Sequence, residues 1–275
     1  MIPIFSIGPI TFYFFGLMIA VGALAGLYFL TTEAKKQGLN HESLMEIAIY
    51  SVIGGIIGAR IVYILVYDPS YYLANPMKVF AISEGGLSIH GGILGGLLVG
   101  LWLLKRRGIP IWQTLDIIAP AIILAQGISR IGCDVFGGPI SRSLPWGVEV
   151  NGEYLHPAQA YEFLLDYLLF GYLWLRLRKP AYRGQVFLHY LIGYMIIRGI
   201  VEFTRVNPIV FGPFSVSHVL SLIGILFGII LIWFRRKSPA VNERVDIKKR
   251  DYVKTVLTVL TLMIISLVIY YTIRG

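Results

Sequence analysis

Runs of about twenty apolar residues recur eight times along this chain, and that pattern excludes most folds. The runs lie near 11–32, 44–67, 86–104, 113–132, 158–178, 184–204, 215–234 and 253–273. Each is long enough to cross the ~30 Å hydrocarbon layer of a bilayer as a helix. A soluble domain of 275 residues has no use for 56% hydrophobic residues, 14% charged residues and a mean hydropathy of +0.73. The expected fold class is therefore an all-α polytopic integral membrane protein. The first run has no Lys or Arg before it and no cleavage site after it, so it reads as a retained span and not a signal peptide. The single cysteine excludes an internal disulfide and says nothing of redox compartment.

The net charge of +9 has a plainer cause than nucleic acid. Seventeen of the 24 cations fall in alternate links: Lys35 and Lys36; Lys105 to Arg107; Arg176 to Arg183; and Arg235 to Lys254. Cytoplasmic loops collect such an excess, which puts the N-terminus outside, and eight spans return the far end of the chain to the same side. Lys78, Arg142, Arg205 and Arg274 fall on the opposite side. The links 68–83 and 133–157 are too short for a soluble domain. No internal repeat is visible, which argues against an inverted-repeat transporter.

Three cations remain inside spans: Arg60, Arg130 and Arg198. At ~1.5 Å rise per residue each lies about 20–26 Å up from the cytoplasmic end of its span. His90 opens the third span from outside and reaches a similar level, and Glu202 lies one helical turn beyond Arg198. Five polar groups thus share one layer, which is the pattern of a site. Blander readings stand at each position: Arg60 snorkelling or paired with a structural acid, Arg198 and Glu202 neutralising each other, and the glycines around His90 serving helix packing alone. Arg130 is harder to dismiss. It sits where an apolar run dissolves into Gly132, Gly137, Gly138 and Pro139, a flexible backbone able to approach an anion.

At these residues the sequence resembles the bacterial prolipoprotein diacylglyceryl transferases. The resemblance runs in order to about Lys237, through Phe5-Ser-Ile-Gly-Pro9, Gly86-Leu-Ser-Ile-His-Gly-Gly92, Arg130-Ile-Gly132, Pro145-Trp-Gly147, His156-Pro-Ala-Gln-Ala-Tyr-Glu162 and Arg198-Gly-Ile-Val-Glu-Phe-Thr-Arg205. There are departures. Cys133 stands where the family usually has asparagine, Phe136-Gly137-Gly138 replaces Asn-Gly-Glu, Phe15 occupies the place of a first-span tyrosine with Tyr13 nearby, and His218 replaces a glutamine. The family typically has seven spans, so the last run is an apparent eighth. The expected division is 1–237 as a transferase-like membrane domain and 238–275 as a basic cytoplasmic linker and extra helix.

The resemblance implies transfer of a diacylglyceryl group from phosphatidylglycerol to the lipobox cysteine of a prolipoprotein signal peptide, with release of glycerol 1-phosphate. It implies a bacterial cytoplasmic (inner) membrane location, among membrane lipids, with the active layer toward the outer leaflet. The residues suit that chemistry. Arg130 would grip the phosphate, His90 would accept the thiol proton with Glu202 in reserve, and Arg198 with Glu202 would hold the headgroup or orient Arg130. Arg60, Ser88, Cys133, Gly137, His156, Gln159 and Tyr161 are the further candidate substrate contacts. No cofactor, metal or nucleic acid is implied. Rival readings are a membrane acyl or glyceryl transferase using Cys133 as nucleophile, a lipid or anion transporter, and a non-catalytic lipid-binding relative.

Overall fold

A computed structural model describes residues 2–8, 10–67, 69–81, 85–141, 144–238 and 248–274. Pro9, Asp68, Ile82, Ser83, Arg142 and Arg244, each part of a reading above, lie outside the described residues.

Among the described residues there are nine α-helices. They are α1 (Phe14–Lys36), α2 (His41–Tyr67), α3 (Pro69–Ala74), α4 (Ile89–Arg106), α5 (Ile111–Ile131), α6 (Ala158–Arg178), α7 (Gln185–Glu202), α8 (Val216–Arg235) and α9 (Lys249–Arg274). Eight correspond to the eight apolar runs. The short α3 and a 3-10 turn, Pro76–Phe80, fill the first link, each opening on a proline whose missing N–H costs nothing in a first turn. Five helices, α1, α2, α5, α8 and α9, are long and apolar enough to cross a membrane. Of the rest, α6 and α7 carry ionisable residues that lower their hydropathy: Glu162 and Asp166 in α6, Arg198 and Glu202 in α7.

The helical reading misses three two-stranded antiparallel hairpins: β1 (Pro3–Ile7) with β2 (Ile10–Tyr13), β3 (Val148–Val150) with β4 (Glu153–Leu155), and β5 (Ile209–Phe211) with β6 (Phe214–Ser215). They are too short for an alternating pattern to stand out beside runs of twenty apolar residues. The second turns through Asn151 and Gly152, both at positive φ, the pairing that two-residue hairpins favour.

The chain divides into two compact units, Met1–Phe29 with Leu115–Gly275, and Leu30–Thr114. In the first, α1 lies antiparallel on α5 through glycines. A methyl at Gly22 would strike the Ala125 carbonyl, one at Gly26 the Ala121 carbonyl, and one at Gly132 the Phe15 backbone. Asp116 near the start of α5 accepts hydrogen bonds from the backbone N–H groups of Gly184 (2.6 Å) and Phe187 (3.0 Å), capping α7. The last helix, α9, belongs to the same compact unit as α6. It runs antiparallel along α6, from the Arg178–Asp251 ion pair (3.0 Å), past Gly171 against Val259 and the Tyr167–Ser266 hydroxyl pair (2.8 Å), to Phe163 edge-on to Tyr270.

In the second unit α2 and α4 pack antiparallel through facing glycines. Added methyls at Gly58, Gly91 and Gly95 would all meet backbone atoms of the partner helix. The far end of this pair is a small core of Ala34, Leu44, Ile47, Leu103 and Leu104. Backbones this close give the dispersion contacts on which helix association in lipid depends.

Candidate functional site

Arg130 lies one residue before the end of α5, and Glu162 on the first turns of α6 meets it. The Nη2–Oε1 distance is 2.8 Å, with Glu162 1% exposed and the arginine side chain 28% exposed. One turn further along α6, Asp166 is fully buried, with neither carboxylate oxygen hydrogen-bonded among the described residues. A guanidinium so placed is neutralised from behind and still reachable from one side. That arrangement suits an anion that comes and goes.

Arg198 and Glu202 form the expected i,i+4 pair at 2.9 Å. Among the described residues they pair with each other and not with Arg130. The turn into α8 completes their surroundings. Asn207 donates to Glu202 Oε1 at 2.8 Å, and the Ser215 hydroxyl donates to the same oxygen. The Ser215 backbone N–H donates to Nδ1 of His218 (3.1 Å), closing a capping box at the start of α8. Arg198 Nη2 donates to Ser217 at 3.2 Å, while its buried Nη1 finds no acceptor among the described residues. Arg205, just past α7, feels both pairs. Burial and the charges of Arg198 and Arg130 push its pKa down, against Glu162 and Glu202, which push it up.

The segment after Arg130 is held by backbone more than it is free for a ligand. Gly137 N–H donates to the His156 carbonyl (2.8 Å), His156 N–H to the Gly138 carbonyl (2.9 Å), and Gly138 N–H to the Thr204 carbonyl (2.7 Å). A side chain at Gly137 would collide with the Thr204 carbonyl and the His156 Cβ, so glycine is what permits this close approach to protein. The His156 ring shares a 3.2 Å hydrogen bond with the Tyr161 hydroxyl. Gln159, 2% exposed, donates to the Cys133 carbonyl (3.0 Å) and accepts from Tyr270 of α9 (3.2 Å). Cys133 is buried, its Sγ 3.8 Å from Arg130 Nη1. His156, Gln159 and Tyr161 therefore brace the segment that carries Arg130.

The remaining candidates lie in the second unit. Arg60 is 6% exposed, and its partners among the described residues are carbonyl oxygens, not a structural acid. Nε donates to Val79 (3.0 Å), Nη1 to Gly85 (2.7 Å) and Gly86 (3.0 Å), and Nη2 to Lys78 (2.6 Å), with Tyr72 beneath the guanidinium. It clamps the segment leading to the histidine motif. Ser88 N–H donates to the Ala59 carbonyl (3.0 Å), fixing the start of α4, and the next turn presents His90, which is exposed. Among the described residues no group of three or more His, Cys, Asp and Glu is arranged to hold a metal ion.

Glu162, Arg205, Ser215, His218 and Arg274 are the neighbours that sequence reasoning did not place in the site. A signal existed for the first. The depth estimate used for the arginines puts Glu162, near the outer start of α6, in their layer, and an intramembrane carboxylate needs a partner as much as a cation does.

One end of the first unit thus gathers two arginine–carboxylate pairs on α5, α6 and α7, the same stretches that carry the motifs at Arg130, His156–Glu162 and Arg198–Arg205. Comparison with known proteins agrees along the chain. The sequence model of the family described as prolipoprotein diacylglyceryl transferase matches residues 3–234. A phosphatidylglycerol–prolipoprotein diacylglyceryl transferase of Staphylococcus carnosus is 36% identical over 265 residues, 91% of this chain and 96% of that one. Proteins of the same name from Staphylococcus xylosus and Halalkalibacterium halodurans are 37% and 32% identical, each over 87% of this chain and over 92% and 88% of their own lengths. With motifs, helices and relatives in register over nearly its whole length, the chain belongs to the prolipoprotein diacylglyceryl transferase family.

Proposed function

We propose that this multi-pass membrane protein transfers a diacylglyceryl group from phosphatidylglycerol to the lipobox cysteine thiol of prolipoproteins in the bacterial cytoplasmic membrane. The observation that carries this reading is Arg130, backed by the buried Glu162 and open on one side, in a chain that is 36% identical to a phosphatidylglycerol–prolipoprotein diacylglyceryl transferase. A bond forms between the thiolate sulfur and the glyceryl carbon bearing the phosphate ester. The C–O bond breaks, and glycerol 1-phosphate leaves with its charge met by Arg130. Arg198, with a donor left over, holds the rest of the headgroup. Both oxygens of Glu202 are engaged by Asn207, Ser215 and Arg198, so the proton-accepting role goes to His90. Gly137, His156, Gln159 and Tyr161 shape the backbone that follows Arg130, and Arg60 and Ser88 shape the backbone that leads to His90.

In this reading seven family-like spans, 1–237, are followed by a basic cytoplasmic linker and an eighth span, 238–275, with the N-terminus outside and the polar layer toward the outer leaflet. Mass spectrometry of a lipobox peptide incubated with phosphatidylglycerol and the purified protein tests the activity. The expected result is a peptide heavier by one diacylglyceryl group, with glycerol 1-phosphate released. Arg130→Ala and His90→Ala should each lower turnover by about a hundredfold or more with the fold intact. Normal turnover in Arg130→Ala would defeat the phosphate assignment, and loss of all activity in both Cys133→Ala and Cys133→Asn would favour a covalent cysteine enzyme.

A further inference from the structure

The family match ends at residue 234, yet a side chain from beyond it reaches the segment that carries Arg130. The end of α5 leaves carbonyl oxygens without helical partners, as every helix end does. Arg274, on the last turn of α9, takes one of them, the Ile131 carbonyl, together with the Cys133 carbonyl just beyond the helix. Nη1 donates to the Ile131 carbonyl and Nη2 to the Cys133 carbonyl, both at 2.8 Å, and Nη2 also pairs with Asp134 at 3.1 Å. The side chain is 4% exposed, and its guanidinium lies over the Tyr270 ring, 4.4 Å from the centroid. A planar cation at a helix C-terminus satisfies orphan carbonyls and meets the negative end of the helix dipole together. A surface arginine that had merely come to rest there would not be buried on so many fixed acceptors.

We propose that Arg274 is a positioning residue for the reaction. By locking the backbone of Ile131, Cys133 and Asp134, it fixes the end of α5 and with it the angle at which Arg130 meets the lipid phosphate. This rests on the function proposed above only for its consequence in turnover; the clamp itself is a claim about the segment after Arg130. Two other side chains that support the end of α5, Gln159 on the Cys133 carbonyl and Glu162 on Arg130, come from α6, against which α9 is packed. The appended helix thus adds a third support from a second element.

Cys133 supplies a readout that needs no activity, because it is the single cysteine of the chain and lies 5% exposed between Arg130 and Arg274. The full-length protein would be compared with Arg274→Ala, Arg274→Lys and Ser266→Ala, the last loosening α9 against α6 away from the clamp. Expected for Arg274→Ala is labelling of Cys133 by a small maleimide at least about tenfold faster. Its KM for phosphatidylglycerol should rise by about tenfold while KM for the peptide stays put; a tenfold change is what about 1.4 kcal/mol of lost interaction produces. Lysine, which keeps charge but not the planar fork, should restore only part of both effects. Unchanged labelling and an unchanged phosphatidylglycerol KM in Arg274→Ala would overturn the proposal. So would Ser266→Ala reproducing both effects, since the helix and not the arginine would then be responsible. Faster labelling in a protein that lipidates no peptide even as wild type would keep the clamp and remove the proposed reaction.

Discussion

Glu162 decides what Arg130 can do. A permanently charged guanidinium near the end of an apolar helix needs a counter-charge to be tolerated and an open edge to be useful, and a carboxylate 1% exposed at 2.8 Å supplies the first without blocking the second. Glu162→Ala leaves that charge uncompensated. The expected cost is about 3 kcal/mol, the low end for breaking a buried pair, because part of the arginine still reaches solvent or headgroups. A lowered thermal midpoint in detergent would record it. Glu162→Gln keeps the shape and one hydrogen-bonding oxygen, so it should fold near the wild-type midpoint yet turn over at least about tenfold more slowly, because the arginine is no longer held by charge. Equal turnover in the two proteins would mean that Glu162 serves folding alone. Arg130, Arg198 and Glu202 were legible as charges in apolar runs, since a single depth argument aligns them. Glu162 is not reached by that argument, which starts from cations and one histidine and takes in only the acid one turn from Arg198. Ser215 and His218 were out of reach because a capping box built from a serine and a histidine looks like any turn. Arg60 was legible as buried but not as satisfied: nothing in a sequence says that carbonyl oxygens of a distant link will converge on one guanidinium.

At the scale of elements, the apolar runs mark the eight long helices to within a few residues at most ends, because hydrocarbon accepts only a backbone that bonds to itself. What the runs leave out is which helices touch, and there the glycines are informative only once paired. Gly91 and Gly95 of α4 fit against Gly54 and Gly58 of α2 with no room for a side chain, whereas Gly16 of α1 has nothing within 4 Å of where a Cβ would stand. The two kinds of glycine should therefore answer mutation oppositely. Gly91→Val forces backbones apart and should destabilise the α2–α4 pair by about 1–3 kcal/mol. Gly16→Ala should be neutral or stabilise by up to about 1 kcal/mol through helix propensity. Thermal midpoints of the two variants check the contrast, and similar losses in both would show that glycine in these helices serves something other than close packing. The same limit explains α9. Its apolarity was plain, but its packing depends on Gly171, Tyr167 and Phe163 facing it from α6, and no local pattern announces a partner nearly a hundred residues away.

For the molecule as a whole, the structure bears on the proposed topology through one relation, the opposed directions of α6 and α9. In the proposed topology the links after the first, third, fifth and seventh spans lie in the cytoplasm, so that α6 runs inward and α9 outward. The contacts ask only that the two helices run in opposite directions, which this topology satisfies. Asp251 at the start of α9 pairs with Arg178 at the end of α6, and Arg274 at the end of α9 reaches the segment that follows α5. A basic helix lying on the inner surface would satisfy the charge rule for its linker yet leave Arg274 on the wrong side of the bilayer from Cys133. Fusing a reporter active only outside the cytoplasm after Gly275, and one active only inside after Lys237, separates these arrangements. Both should be active, and exchanging the two reporters should silence both. A silent outer reporter after Gly275 would mean that α9 does not cross. The Arg274 contacts, and the support they lend to the end of α5, would then have to be abandoned, while the Arg130–Glu162 pair and the proposed transfer reaction would be untouched.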